Sequence, residues 1–383
     1  MSEIVLYGAT GMTGQRAAAE LAAAGASFAL AGRDPVKLAH VASRFPAADV
    51  VIAELSDHDS LVHAFENAKV VLACSGPAGV TNERLLVAAL AAGAHYVDLG
   101  GEQAFLHAAY ERHESTARRA ERVAIPGAGV DCVLGDWAAA WAAANVCGME
   151  RDPIGDAVRT EPIDRSWARL ADDRPLDDVA VSYVFDDLTL SPGGQRAALA
   201  RLHDRSFVWR SDRWEQVAPA SQRRRINAGL EMGGEREVVS FPGGDVITLP
   251  RHLAAKQIQT FASTSRRAGT MTALRLLARV APFVPKRATD ALATYAPSDE
   301  EYARTRFAVV AQARRGFSSA QVTVRGRDLY RTSAVIAAWI ARQLAARSTG
   351  PVGMRAPSEL FRPEPALREV AEAAGLVVEP SFA

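Results

Sequence analysis

Lysine is nearly absent from this chain: Lys37, Lys69, Lys256 and Lys286 stand alone among 44 basic residues, the rest being arginine. Net charge of one sign is also missing, since 44 acidic residues cancel the basic ones. That balance argues against a nucleic-acid surface as the chain's main business. Cysteine is as scarce. Cys74, Cys132 and Cys147 are too few and too scattered for a disulfide framework or a zinc site, which fits a reducing compartment and no metal centre. No apolar run reaches the ~18 residues that a membrane-spanning helix needs. Met1 leads almost directly into a strand, leaving no room for a secretory leader. A cytoplasmic chain is the expectation, and 383 residues allow two domains with separate cores.

What is present begins at the N-terminus. The apolar run Ile4-Val5-Leu6-Tyr7 meets the glycine loop Gly8-Ala9-Thr10-Gly11-Met12-Thr13-Gly14, and an alanine-rich segment follows from Gln15 to Ala24. Strand, tight turn and helix in that order is what a dinucleotide site requires. Gly8 suits the turn out of the strand. Gly11 lets backbone approach a pyrophosphate, and Gly14 lets the helix lie close to the sheet. The phosphates would rest on free N–H groups at the positive end of the helix. Three glycines alone are a weak signal, because a Gly-rich turn with no ligand has the same spelling. The second apolar run, Phe28-Ala29-Leu30-Ala31, closes at Gly32-Arg33-Asp34. An NAD site carries a carboxylate near this point to accept from the ribose hydroxyl; Arg33 instead offers a planar fork for a 2′-phosphate. The cofactor expected is NADPH/NADP.

Further along, Val36 to Phe45 reads as a helix and Asp49 to Ala53 as a third strand. Ser56 stands at capping-box spacing before Asp59 and a helix through Leu61 and Phe65. Val70 to Ala73 is an apolar strand ending at Cys74-Ser75-Gly76-Pro77, followed by a helix from Thr81 to Ala92. Tyr96 to Asp98 and Arg122 to Ile125 are further short strands. Repeated βα units of this length imply an α/β fold with a Rossmann-type doubly wound parallel sheet. Ligands bind beyond the carboxyl ends of such strands, which groups the glycine loop with Arg33-Asp34, Leu55-Ser56, Cys74 to Pro77 and Gly100 as cofactor-binding candidates.

Past Pro126 the pattern changes. An Ala- and Trp-rich helix from Leu134 to Val146 precedes alternating segments at Val179–Phe185, Phe207–Trp209, Glu237–Phe241, Val309–Ala313 and Ala320–Val324. Gly, Pro and Asp clusters separate them, so a mixed or antiparallel sheet is expected. Val335, Ile336, Trp339, Ile340 and Leu344 then recur at helical period, with Gly350 as a stop. The expected domains are residues 1–130, 131–328 and 329–383.

Catalytic groups are harder to name. In short-chain reductases a Lys four residues after a Tyr lowers the phenol pKa for proton transfer; none of the seven tyrosines here has one. Asp131, Tyr183 and His252 remain as candidate acids. Histidine is the residue type suited to proton donation near neutrality, which makes His252 a candidate, though a strand-edge histidine looks the same in sequence. Asp131 serves equally well as the N-cap of the helix before Leu134.

Taken together, the glycine loop, Ala31-Gly32-Arg33, Tyr96-Val97-Asp98-Leu99-Gly100-Gly101-Glu102 and Gly129-Val130-Asp131 resemble the saccharopine dehydrogenase-like NADP-binding family. The resemblance is strongest to its trans-acting enoyl reductase branch. Ser191-Pro192-Gly193-Gly194, Leu249-Pro250-Arg251-His252 and Gly326-Arg327-Asp328-Leu329-Tyr330 are similar to that branch too. The resemblance implies a Rossmann domain, an inserted mixed α+β substrate domain, and a C-terminal helix returning to the first domain. Gly129-Val130-Asp131-Cys132 departs from the family's Gly-Phe-Asp-Ser with its nearby proline. Two classes of function stay open: an NADPH-dependent reductase of an enoyl thioester C=C or of an imine C=N, and a non-catalytic NADP(H) sensor. The substrate is a small molecule or is carrier-bound, and a homodimer is allowed. The basic segment from Arg266 to Arg279, continuing to Lys286-Arg287, is either a solvated helix face or a dock for an acidic carrier protein or an anionic membrane.

Overall fold

The computed structural model describes residues 2–76, 78–148, 170, 174–203, 206–218, 220–264 and 297–382. The segment from Arg266 to Arg287 and Pro77 lie outside them. The chain divides into two compact units, one formed by Met1–Val130 with Tyr330–Arg355, the other by Asp131–Leu329 with Ala356–Ala383. The stretch after Leu329, read from sequence as one block packing on the first domain, is thus split between the units.

In the first unit, strands β1 (Ile4–Tyr7), β2 (Phe28–Gly32), β3 (Asp49–Ile52), β4 (Val70–Ala73), β5 (His95–Asp98) and β6 (Val123–Ile125) alternate with helices α1 (Met12–Ala23), α2 (Pro35–Ala42), α3 (His58–Phe65), α4 (Ala78–Ala91) and α5 (Gln103–Arg119). A short strand, β15 (Gly353–Met354), completes a seven-stranded sheet ordered β15-β6-β5-β4-β1-β2-β3. Every pairing in it is parallel. Leu6 sits in register between Leu30 and Leu72, all three fully buried, which is why the inner strands read as unbroken apolar runs. β3 lies at the edge and is largely exposed. Order reverses between β1 and β4, the switch point where a parallel sheet opens a crevice beyond its strand ends.

Several boundaries differ from the sequence reading. Asp57, not Ser56, caps α3, its carboxylate accepting from the Ser60 N–H at 3.0 Å. α2 stops at Ala42, with Ser43 as its C-cap, rather than at Phe45. α4 begins at Ala78, three residues before Thr81, and the Ala78 N–H donates to Glu102 Oε1 at 3.2 Å.

The second unit opens on α6 (Val130–Val146), which bends at Asp131 (φ −78°, ψ 16°). The helix therefore starts before the residue expected to cap it. β7 (Asp178–Asp186), β8 (Ser206–Arg210), β9 (Arg213–Val217), β10 (Arg223–Asn227), β11 (Glu235–Ser240), β12 (Gln257–Ser263), β13 (Arg306–Arg315), β14 (Ser318–Arg327) and β16 (Val377–Phe382) form the sheet β10-β11-β12-β7-β13-β14-β16, with β8 pairing β12 and β9. β7 and β12 run parallel and the other pairs antiparallel, so the sheet is mixed. One face carries Val184, Ile226, Val238, Phe261 and Val310 in a single apolar cluster. Helices α7 (Pro192–His203), α8 (Asp245–Thr248), α9 (Asp299–Arg304) and α11 (Pro363–Ala374) complete the unit. The helix α10 (Leu329–Ala345) buries Val335, Ile336, Trp339, Ile340 and Leu344, the periodic positions of the sequence. Among the described residues no helix is long and apolar enough to cross a membrane.

Candidate functional site

The glycine loop is built by steric exclusion. Gly8 leaves β1 at φ 85°, and a Cβ there would meet the Cys74 carbonyl carbon and the Ser75 nitrogen at 2.9 Å. The loop after β1 therefore lies on the end of β4. At Gly14 a Cβ would stand 2.2 Å from the Gly8 carbonyl oxygen, so only hydrogen lets α1 dock on the loop. Gly11 is the N-cap, in extended conformation, and gives no side-chain hydrogen bond to the helix N-terminus; the first turn holds no acid. Met12, Thr13 and Gly14 thus present their N–H groups at an uncapped positive helix end, the arrangement that receives phosphate. Gln15 braces the loop. Its amide donates to the Thr10 carbonyl at 3.1 Å and accepts from Arg44 at 3.0 Å.

Around this loop the neighbouring strand ends take different roles. Arg33 is exposed just past β2 and makes no hydrogen bond or ion pair among the described residues. Asp34 is engaged in capping α2 through the Lys37 N–H at 3.0 Å, and that bond holds its carboxyl below the usual range. Leu55 and Ser56 form the turn after β3, half-buried and exposed respectively. Desolvation, with Asp98 nearby, pushes the Cys74 thiol up, so it stays protonated. Ser75 Oγ reaches Thr81 Oγ1 at 3.3 Å and Asn82 Oδ1 at 3.4 Å. The Gly100 N–H donates to Asp98 at 2.7 Å.

The acid candidates of the second unit are occupied. Tyr183 is fully buried, and its hydroxyl donates to both oxygens of Asp245, at 3.0 and 2.8 Å. Burial pushes the Asp245 carboxyl well above its usual range, against the Tyr183 hydrogen bond and with help from Asp136 and Asp131. Gly135 makes room for this pair, since a Cβ there would stand 2.2 Å from Asp245 Oδ1. His252, 2% exposed, holds Asp136 at 3.0 Å, and Asp136 also accepts from the Ser358 N–H at 2.9 Å. Burial alone would raise Asp136; the charge and hydrogen bond of His252, with the Ser358 and Thr248 hydroxyls, outweigh it and hold the carboxyl low. Asp131 is half-buried at the bend of α6. Tyr183 and His252 are therefore interior hydrogen-bonding groups, without an exposed face for a substrate.

Residues 8–98 match a family described as NAD(P)H-binding. This stretch is an NAD(P)H-binding domain. Over 178 residues the chain is 34% identical to a trans-acting enoyl reductase of Mycobacterium ulcerans, a match taking in 44% of this chain and 41% of that protein. The trans-acting enoyl reductase of Mycobacterium tuberculosis strain H37Rv is 34% identical over 177 residues, with the same shares covered. A lipid droplet localized protein of Caenorhabditis elegans is 30% identical over 146 residues, 35% of this chain and 34% of that one. The match thus spans about two fifths or less of the length of these curated relatives. Apo saccharopine dehydrogenase (L-Glu forming) from Saccharomyces cerevisiae superposes with a TM-score of 0.64 over 100% of both chains at 13% identity, a likeness of fold.

Within the first unit the structure brings the glycine loop, Cys74, Ser75 and Gly100 onto one connected set of strand ends. Of its other members, sequence reading gave Gln15 and Asn82 no site role, and Glu102 only a place in the motif that carries the family resemblance. Gln15 and Asn82 lie inside helices, and Glu102 ends a loop, so no spacing rule marks them. A buried Asn in the Ala- and Leu-rich helix α4 was the one visible sign.

Proposed function

We propose that the chain is an NADPH-dependent reductase that transfers hydride to an activated C=C bond, an enoyl thioester of a biosynthetic intermediate. The observation that carries this reading is the uncapped, acid-free N-terminus of α1 with Arg33 exposed past the end of the neighbouring strand β2 and without an ion pair among the described residues. The first suits a pyrophosphate and the second a 2′-phosphate, because a guanidinium fork grips phosphate where a carboxylate would repel it. Bound there, NADPH supplies the hydride. Gly8, Gly11 and Gly14 let the backbone come close and fix the dinucleotide, and the strand ends at Cys74, Ser75 and Gly100 hold its reactive end. Holding hydride and acceptor ~3–3.5 Å apart in a dry site is worth much of the barrier.

The choice of acceptor follows from proton chemistry. A ketone needs a donor as the alkoxide forms. Tyr183 and His252 are buried and bound to carboxylates, and no tyrosine has a lysine four residues on. An enolate derived from a thioester can be held by backbone N–H groups and protonated later, so a C=C acceptor is favoured. The relatedness to trans-acting enoyl reductases supports the same choice. The test is NADPH oxidation by the purified chain against a panel of enoyl thioesters, cyclic imines and ketones. Turnover of an enoyl thioester with little on the others is the expected result. Faster imine turnover would move the reading to C=N reduction, and tight NADPH binding without turnover on any of them would mark a sensor.

A further inference from the structure

We propose that Asp98 is a positioning residue: its carboxylate ties the loop after β5 to the loop after β6 and so sets the backbone that faces the cofactor. The inference rests on the proposed placement of the cofactor's reactive end at the carboxyl ends of β4 and β5. Asp98 is the last residue of β5 and is fully buried. One oxygen, Oδ1, accepts from the Gly100 N–H at 2.7 Å and from the Gly127 N–H at 3.1 Å. Its main-chain carbonyl accepts from the Ala128 N–H as well. One residue therefore fixes two loops that the chain connects only through the whole of α5 and β6.

The cluster reaches the glycine loop by direct contact. Gly8 abuts Cys74 and Ser75, Ser75 meets Asn82, and Asn82 lies against Gly100. A Cβ on Gly100 would stand 2.2 Å from the Ala78 side chain and 3.1 Å from both Asn82 Nδ2 and Asp98 Oδ1, so the backbone at Gly100 has one seat. Asn82 Nδ2 and Asp98 Oδ2 are both buried without a hydrogen-bond partner among the described residues. Such orphaned polar atoms are expensive, and their retention beside a ligand site fits a device kept for position and not for stability.

The groups facing the carboxyl are Cys74 of β4, Tyr96 of β5, Asn82 of α4 and Glu102 before α5; the Tyr96 hydroxyl itself donates to the Asn82 carbonyl at 3.1 Å. No cation is among them. Burial raises Asp98, opposed by the Gly100 and Gly127 N–H groups and the Tyr96 hydroxyl and aided by Glu102, to about 7. The ionised carboxylate accepts from both loops at full strength, whereas the neutral acid holds them more weakly. Cofactor affinity therefore rises with pH through neutrality.

NADPH dissociation constants from pH 5.5 to 8.5, by nicotinamide fluorescence, on the wild-type chain and Asp98→Asn test this. The 2′-phosphate titrates identically in both, so the ratio isolates Asp98. Wild type and variant should bind alike at pH 5.5 and differ roughly tenfold at pH 8.5, the effect of one charge-assisted hydrogen bond. A ratio independent of pH overturns the proposal. Should Asp98→Asn not fold, the wild-type chain with NADH, which has no 2′-phosphate, replaces it: binding should tighten roughly tenfold across the same range, and a flat profile overturns the proposal. Absence of NADPH binding at every pH defeats the cofactor placement itself, whereas tight binding with a flat ratio defeats only the role of Asp98.

Discussion

His95, at the start of β5, makes the first unit sensitive to mild acid. Its Nδ1 accepts the Val123 N–H at 2.9 Å, closing the β5–β6 seam, and this geometry requires a neutral ring nitrogen. Burial lowers its pKa, and Arg122 and Arg347 lower it further against the Val123 bond, to about 4 from 6.5. The sign follows from linkage. Between those values the unfolded chain holds a proton that the folded chain refuses, so stability is full above pH 6.5 and falls as pH drops toward 4. At 1.36 kcal/mol per unit, the stretch from pH 7 to pH 5 is worth about 2 kcal/mol, before any screening at the partly exposed ring. His95→Asn keeps an acceptor near the Nδ1 position and cannot titrate. Urea unfolding of both proteins at pH 5, 6 and 7 should show the wild type losing about 2 kcal/mol more than the variant. Parallel pH profiles would refute the reasoning. Asp98 acts in the opposite direction: its raised pKa means its contribution is present below about pH 4 and lost as pH rises through 7. Only the difference between wild type and variant isolates the histidine.

Two further outcomes are expected. Arg33→Ala should cost ~1.5–3 kcal/mol of NADPH binding, the range for a hydrogen bond to a charged group, and leave NADH binding nearly unchanged; equal losses by titration calorimetry would sink the 2′-phosphate assignment. Tyr183→Phe leaves the buried Asp245 carboxyl without its donor, so stability should fall by ~1–3 kcal/mol while turnover per folded molecule falls less than ~100-fold. A much larger rate loss at unchanged stability would make Tyr183 a proton donor after all.

The alternation of strands and helices in the first unit was legible because both faces of its inner strands are covered. Continuous apolar runs such as Val70–Ala73 then have no competing reading, and the glycine spacing marks a place where backbone must touch backbone. The place of Arg33 just past the end of β2 was legible by its offset from that loop. The weak elements were not. β10 is an arginine-rich edge strand, and β15 has two residues. Both are held by the strand they pair with, and their own composition carries no strand signal. The role of Tyr183 and His252 lay further out of reach. Their partners Asp245 and Asp136 stand 62 and 116 residues away, and whether such a side chain points at a carboxylate or at a substrate depends on which backbones meet. By itself the sequence determined the parallel sheet and the glycine turn after β1, since each is a local requirement of backbone conformation. Tertiary structure alone decided that two of the three acid candidates are buried against carboxylates, and that Asp98 joins two loops, because desolvation and hydrogen bonding are properties of the packed interior.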